Sequence, residues 1–452
     1  MSDNKMLDNA YRIEHDLIGS IKVPAGVLYG AQTQRAIMLY PLNGEKPLSA
    51  YPELIIAMLQ VKEAAARTNI ASGELDQTFG LAILDAIVFL KSDLPVAQFP
   101  VHAFHGGGGI STNMNINEVI ANLANSNSFG SPLGSYAPIH PNDHINLNNA
   151  TADALTTACH LAIINKWQGI DLALKNMVET FDQQGHRWRQ VLKISRTCLQ
   201  DAVEINFQQF FSGYSALITR NKQRLQRDVE QLYKINLGAN IIGRPGDCSS
   251  EFFDNVIASL NQVLDTKNFK RSDNLFDSTQ NHDDMVAIAS RLDLLARGLI
   301  KIAKDFRLMS SGPETGFGEI SLPSVQPGSS AMPGKINPTI AEFLVQCCLQ
   351  ACGRCHSVQM TQDHGELDFN VWQAMVINNV LDTMACLENG INVFTKHCLA
   401  GVKPNLQRNQ ANINTMIPSL MRLKNAKGYS EASKIYQESG GDIELIRQYL
   451  TD

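Results

Sequence analysis

A chain of 452 residues, 44% hydrophobic and 18% charged with a formal net charge of -6, is long enough for about three domains and a large buried core. This composition excludes an intrinsically disordered chain, and its mild acidity gives no reason to expect a nucleic-acid partner. The stretch Met1–Asn9 is polar, unlike a secretory signal, and no run approaches a charge-free transmembrane length; the reading is a cytoplasmic protein with no membrane partner.

In chain order, the first motifs are Tyr11-Arg-Ile-Glu-His-Asp-Leu-Ile-Gly and Tyr29-Gly-Ala-Gln-Thr-Gln-Arg-Ala. Four glycines, Gly106–Gly109, let backbone approach an anion closely and lead into Ile110, Ser111 and Thr112. Residues 126–142, rich in Ser, Asn, Gly and Pro, read as a boundary. Leu155, Ala158, Ala162 and Trp167 begin a helical stripe. Met285, Ile288, Leu292, Leu295, Leu299, Ile302, Phe306 and Met309 recur at alternating steps of three and four, a seam that wants helical neighbours.

The run Gly328–Pro338 breaks regular structure with Gly328, Pro333, Gly334 and Pro338, while Ser329, Ser330, Lys335 and Asn337 supply donors suited to a carboxylate. Thr339 opens another helix. Within it Cys347, Cys348, Cys352, Cys355 and His356 resemble metal-ligand spacing. Leu344, Cys348, Cys352 and Cys355 nevertheless fall at helical steps on one face with no second ligand pair beside them, so they read as packing residues and no metal is expected. An odd total of nine cysteines is not a disulfide framework. Ile377, Leu381, Met384, Leu387, Ile391 and Phe394 form a last long stripe, which residues 395–405 end. These stripes predict an all-α chain built on a helical bundle. Its expected parts are an N-terminal domain at 1–139, a central bundle domain with the donor-rich loop at 140–395, and a small C-terminal helical domain at 396–452.

The loop, G-S-S-x-M-P-x-K-x-N-P in pattern, resembles the signature of the fumarase and aspartase superfamily of lyases. Asn113-Met-Asn-Ile-Asn-Glu-Val, His140-Pro-Asn-Asp-His, Phe210-Phe-Ser-Gly-Tyr, Ser311-Gly-Pro and Phe394-Thr-Lys-His-Cys extend the likeness, in order, over residues 11–440. The resemblance implies a three-domain all-α fold whose central helices pool in a homotetramer with active sites shared between subunits. It implies no cofactor, a small dicarboxylate substrate, and reversible anti-elimination of a C2 substituent from a succinyl-type, aspartate-like dicarboxylate to give fumarate. A base takes the C3 proton and the neighbouring carboxylate accepts the charge, so the site must stabilise a dianionic carboxylate.

By motif position Ser329 is that base, its alkoxide held by loop amides. Ser330 and the amides after it, around Met332, hold the carboxylate beside the abstracted proton, and Lys335 and Asn337, with Thr197, hold the other. Ser111 and Thr151 complete the polar side of the substrate set. His140, Asn142 and Asp143 match the family's second carboxylate site, or else form a capping turn.

The chain departs from the family pattern in one direction. Ile110 stands where Thr is usual, and Ala150-Thr151-Ala152-Asp153 replaces Ser-Ser-Asn-Asp or Ser-Thr-Asn-Asp. Thr197-Cys198 replaces the Thr-His of fumarases, which leaves Glu342 without the histidine that it polarises there. Gly243-Arg-Pro-Gly-Asp247 brings Arg244 and Asp247 where small or neutral residues are usual. Ile110 and Ala152 offer no hydrogen bond to a buried leaving group, and an unsatisfied one costs about 1–3 kcal/mol. Cys198 reads as a reactive thiol or as a space-making substitution.

Three readings follow: a fumarate-forming lyase with altered leaving-group specificity, an ordinary aspartate ammonia-lyase or fumarate hydratase that tolerates the changes, and a catalytically silent tetrameric scaffold. The intact Ser329, Lys335 and Asn337 argue against the last.

Overall fold

Apolar residues at helical spacing need one another more than they need any single partner, and the computed structural model shows where they are buried. It describes residues 10–451, so the polar stretch 1–9 lies outside the described residues. An antiparallel hairpin, Tyr11–Asp16 (β1) and Gly19–Pro24 (β2), opens the chain. Helices Ala31–Leu39 (α1), Pro52–Ala71 (α2), Gln77–Ser92 (α3) and Ile110–Phe129 (α4) follow. The long helix Thr151–Arg187 (α5) leads to a second hairpin, Leu192–Thr197 (β3) with Gln200–Asn206 (β4). Then come Phe207–Gln231 (α6), Ser250–Val263 (α7), Leu275–Gln280 (α8), Asp283–Met309 (α9), Thr339–Gln359 (α10) and Gln373–His397 (α11). Four shorter helices, Leu406–Ile413 (α12), Met416–Lys427 (α13), Tyr429–Glu438 (α14) and Ile443–Thr451 (α15), close the chain.

The seam predicted from Met285 to Met309 falls on α9, and all eight of its residues are buried. The stripe from Ile377 to Phe394 on α11 and the start of α5 at Leu155, Ala158, Ala162 and Trp167 are buried as well. Each fully buried large apolar side chain contributes about 1.5–3 kcal/mol, so these stripes dominate the stability of their helices. Strands are few and paired only in twos among the described residues.

Two compact units divide the chain: Met1–Gln168, Leu225–Leu292 and Gly353–Met384 form one, and Gly169–Arg224, Asp293–Cys352 and Ala385–Asp452 the other. In the first, Glu118 of α4 accepts from the backbone N–H groups of Gly30, Gln32 and Thr33, and Glu14 from that of Ala31. Two buried carboxylates thus cap the orphan donors of α1. Arg12 pairs with Glu14, and Arg35 with Asp16, both at 2.7 Å. The two N-terminal motifs therefore serve to dock the first hairpin on α1.

The second unit is centred on aromatic rings. Phe181 lies 5.7 Å from Phe211, and Phe306 lies 5.3 Å from Phe394, in tilted and edge-on arrangements that aromatic quadrupoles favour. In this unit Leu423, Ala432, Ile435 and Ile446 give the terminal helices a small core of their own. Cys347, Cys348 and Cys355 are buried along α10, and burial pushes the Cys347 thiol up to about 12. No helix among the described residues is long and apolar enough to cross a membrane.

Candidate active site

The loop before α10 is closed on itself. Gly328 N–H donates to the Lys335 carbonyl at 2.9 Å, and Asn337 Nδ2 donates to the Gly328 carbonyl at 2.7 Å. A Cβ at Gly328 would lie 2.5 Å from the Lys335 oxygen, so this closure needs glycine. Inside the bend, Ser329 Oγ accepts from the backbone N–H of Ala331 at 3.1 Å and of Met332 at 2.9 Å. Two N–H dipoles aimed at one hydroxyl oxygen favour negative charge on that oxygen. Ser329 is half-buried, whereas Ser330, Met332 and Lys335 are exposed. The Lys335 ammonium makes no ion pair among the described residues. Ser329, Met332 and Lys335 line a cavity of about 530 Å³ formed by the loop and the segment before it.

The Thr197-Cys198 pair sits at the tip of the β3–β4 hairpin. Cys198 has φ 54° and Leu199 φ 61°, so a two-residue turn of the kind usually made by Asn-Gly is built here from residues that resist left-handed backbone. Thr197 and Cys198 are exposed. Arg196, close by in β3, is engaged by Glu319 at 2.6 Å and stacks over Phe317. Glu342, in the first turn of α10, pairs with Arg307 at 3.3 Å.

The remaining predicted residues belong to the first unit. Gly109, at φ 92°, caps α4, and a Cβ there would lie 2.1 Å from Leu155 Cδ2 and 3.5 Å from Thr151 Cγ2. This close approach brings the start of α4, with Ile110 and Ser111, against the start of α5, with Thr151 and Ala152. Ile110 is 42% exposed and lines, with Ser111, Gly106 and Tyr40, a cleft of about 400 Å³. Ala152 is buried.

His140 Nδ1 accepts from the backbone N–H groups of Asn142 and Asp143 at 3.3 and 3.4 Å, which gives these residues a capping geometry. Asp143 Oδ2 also lies 3.4 Å from Nδ1. Arg244 and Asp247 pair with each other at 2.5 Å, and Asn240 Nδ2 donates to the Asp247 carbonyl.

Sequence reasoning missed the support behind Thr151. Lys62, fully buried on α2, donates to Asn146 Oδ1 at 2.9 Å and to Asn149 Oδ1 at 2.8 Å. Asn113 and Asn117 also donate to Asn146 Oδ1, both at 3.2 Å. Asp153 accepts from the N–H of Ala150 at 2.8 Å and from those of Gly238 and Asn240 at 3.0 Å. Burial pulls the Lys62 ammonium down to about 7 and pushes the Asp153 carboxyl up to about 6, outweighing their mutual attraction. A lysine inside the apolar run of α2 was the available signal.

Comparison with known proteins adds to this geometry. The model of a family described as Lyase matches residues 19–353. A class II fumarate hydratase of Thermosynechococcus vestitus is 35% identical over 97% of this chain and 93% of its own. An aspartate ammonia-lyase of Bacillus subtilis is 34% identical over 95% of this chain and 89% of its own. A crystal structure of a fumarate lyase:delta crystallin of Brucella melitensis bound to cobalt superposes with a TM-score of 0.92 at 34% identity, covering 97% of this chain and 95% of that one.

Proposed function

The chain belongs to the fumarase/aspartase superfamily of lyases, and from that premise we propose that it eliminates a C2 substituent other than plain water or ammonia from a succinyl-type dicarboxylate, giving fumarate or a close analogue. The observation that carries this reading is the pair of N–H groups of Ala331 and Met332 on Ser329 Oγ, which supports a serine base. As the base takes the C3 proton, charge passes to the adjacent carboxylate, held by Ser330 and loop amides; Lys335, Asn337 and Thr197 hold the other.

The leaving-group side carries Ile110, Ala152 and Cys198, none of which serves a water or an ammonium well. Cys198 acts there by making space, since Arg196 is engaged by Glu319 and gives the thiol no cation of its own. The functional form is a cytoplasmic homotetramer with active sites shared between subunits, its domains at 1–139, 140–395 and 396–452. Ser111 and Thr151 line the substrate side, and the capping turn of His140, Asn142 and Asp143 lies at the entrance, where it serves a second carboxylate.

The test offers fumarate with a panel of amines and thiols, and searches for 2-substituted succinates by mass spectrometry. Adducts support the reading; their absence, with no fumarate release from any substituted succinate, counts against it. The second reading, an ordinary fumarate hydratase or aspartate ammonia-lyase, draws on the nearly equal likeness to one of each, at 35% and 34% identity. Strong ultraviolet-detected turnover of malate or aspartate would establish it instead.

A further inference from the structure

The cleft that Ile110 and Ser111 line has a neighbour on the other side of Gly106. Gly106 and Tyr40 also line a second cleft, of about 610 Å³, lying between residues 104–106 and the segment that joins α10 to α11. That volume falls within the ~300–1,000 Å³ usual for small-molecule sites. Its walls are made by Phe104, Met360, Val371, Trp372 and Met375 among others, and no Asp, Glu, Lys or Arg lines it.

Three of these side chains are held open to solvent: Phe104 is 37%, Met360 54% and Trp372 42% exposed. Large apolar groups gathered in one concavity have water to expel. Trp372 is fixed there, since its Nε1 donates to the His364 carbonyl at 2.7 Å. His105 is fixed too: Nδ1 donates to the Gly106 carbonyl at 3.1 Å and Nε2 accepts from Thr112 Oγ1 at 2.8 Å. Burial holds this imidazole below the usual histidine range. The junction is narrow. A Cβ at Gly106 would sit 3.2 Å from the Tyr40 hydroxyl.

Resting on the lyase reading above, we infer that this cleft receives an apolar, aromatic-sized body carried on the departing heteroatom, so that the C2 substituent is an arylalkyl amine or thiol. Adjacency to Ile110, across the shared residues Gly106 and Tyr40, favours such a ligand over other occupants. A charged tail would stand unpaired in it. In the elimination, Ser329 keeps the C3 proton and the C3–H electron pair becomes the C2–C3 π bond. The C2–heteroatom pair leaves with the heteroatom, as neutral amine from a substituted ammonium or as thiolate from a thioether.

The test measures fumarate release by the full chain from N-benzylaspartate and N-methylaspartate, and from the S-benzyl and S-methyl thioethers of mercaptosuccinate. Aspartate and malate serve as references. The expected result is a kcat/KM for a benzyl substrate at least about tenfold above its methyl counterpart; the amine and thioether arms identify the heteroatom. Ala374→Phe, which fills the cleft, should erase that preference, and Trp372→Ala should lower it. Trp372 fluorescence should saturate with 2-(phenethyl)succinate, which cannot eliminate, giving a binding readout free of turnover.

Turnover without benzyl preference, or a preference unmoved by Ala374→Phe, overturns this inference and leaves the lyase reading standing. Fumarate from none of the six substrates overturns the lyase reading and this one with it. If Ala374→Phe changes oligomeric state and leaves selectivity as it was, the cleft belongs to a contact with a second copy of the chain and the inference is wrong.

Discussion

Ser329 is the proposed base, and its oxygen accepts two backbone N–H groups. Ser329→Ala should lower fumarate release by about 10²–10⁴-fold, the usual worth of a positioned general base, while calorimetry still detects a bound dicarboxylate. Equal loss of binding would mark the hydroxyl as a ligand group only. A separate titration concerns His160, fully buried on α5, whose ring Nδ1 donates to the Leu232 carbonyl at 3.0 Å. Burial holds this histidine down, to about 4. Between that value and the unfolded histidine value of about 6.5 the unfolded chain binds the extra proton. Its contribution is therefore full above about 6.5 and is lost as pH falls towards 4. Buried Glu118 and Asp153, both pushed up, act in the opposite direction over overlapping pH, so only a difference isolates His160. The stability gap between the native chain and His160→Asn, measured by urea unfolding, should narrow steadily from pH 6.5 to 4.5; a constant gap contradicts the assignment.

The start of α4 is the element whose backbone most constrains the site. Gly109 combines φ 92° with a missing Cβ that would overlap Leu155, so Gly109→Ala should cost about 2 kcal/mol or more through strain and overpacking. Gly26→Ala, with no atom within 4 Å of the added methyl, should change stability by about 0.5 kcal/mol or less; chemical denaturation of both variants checks the contrast. At this scale the sequence was legible wherever period carried the information. The stripes on α5, α9 and α11 could be read because helices bury every third or fourth residue. The β3–β4 hairpin could not, because Cys198 and Leu199 occupy a turn normally announced by Asn or Gly. The loop motif identified Ser329 and its neighbours, but the amide cradle around Ser329 depends on Gly328 and Asn337 closing the loop. The Lys62–Asn146–Asn149 cluster joins α2 to a segment more than eighty residues away, and no local pattern encodes such a meeting.

At the scale of the molecule, the proposed site residues fall in two sets on the two units of the chain. Ser329, Ser330, Lys335, Asn337, Thr197 and Cys198 lie in one, and Ile110, Ser111, Thr151 and Ala152 in the other. A tetramer with shared sites turns that division into a measurable property. In the proposed homotetramer, Ser329→Ala and Thr151→Ala should each disable every site. In a tetramer formed from both, a site that draws Ser329 from a Thr151→Ala chain and Thr151 from a Ser329→Ala chain has both residues intact. Random assembly of equal amounts makes about a quarter of sites intact when the two residues come from different subunits. Co-refolding the two inactive variants should therefore restore about a quarter of native fumarate release, in a particle of four 49.8 kDa chains. If both residues of a site come from one subunit, every mixed site lacks one of them and the mixture stays inactive. A tetramer of the right size without restored activity would thus retain the assembly and reject the shared site.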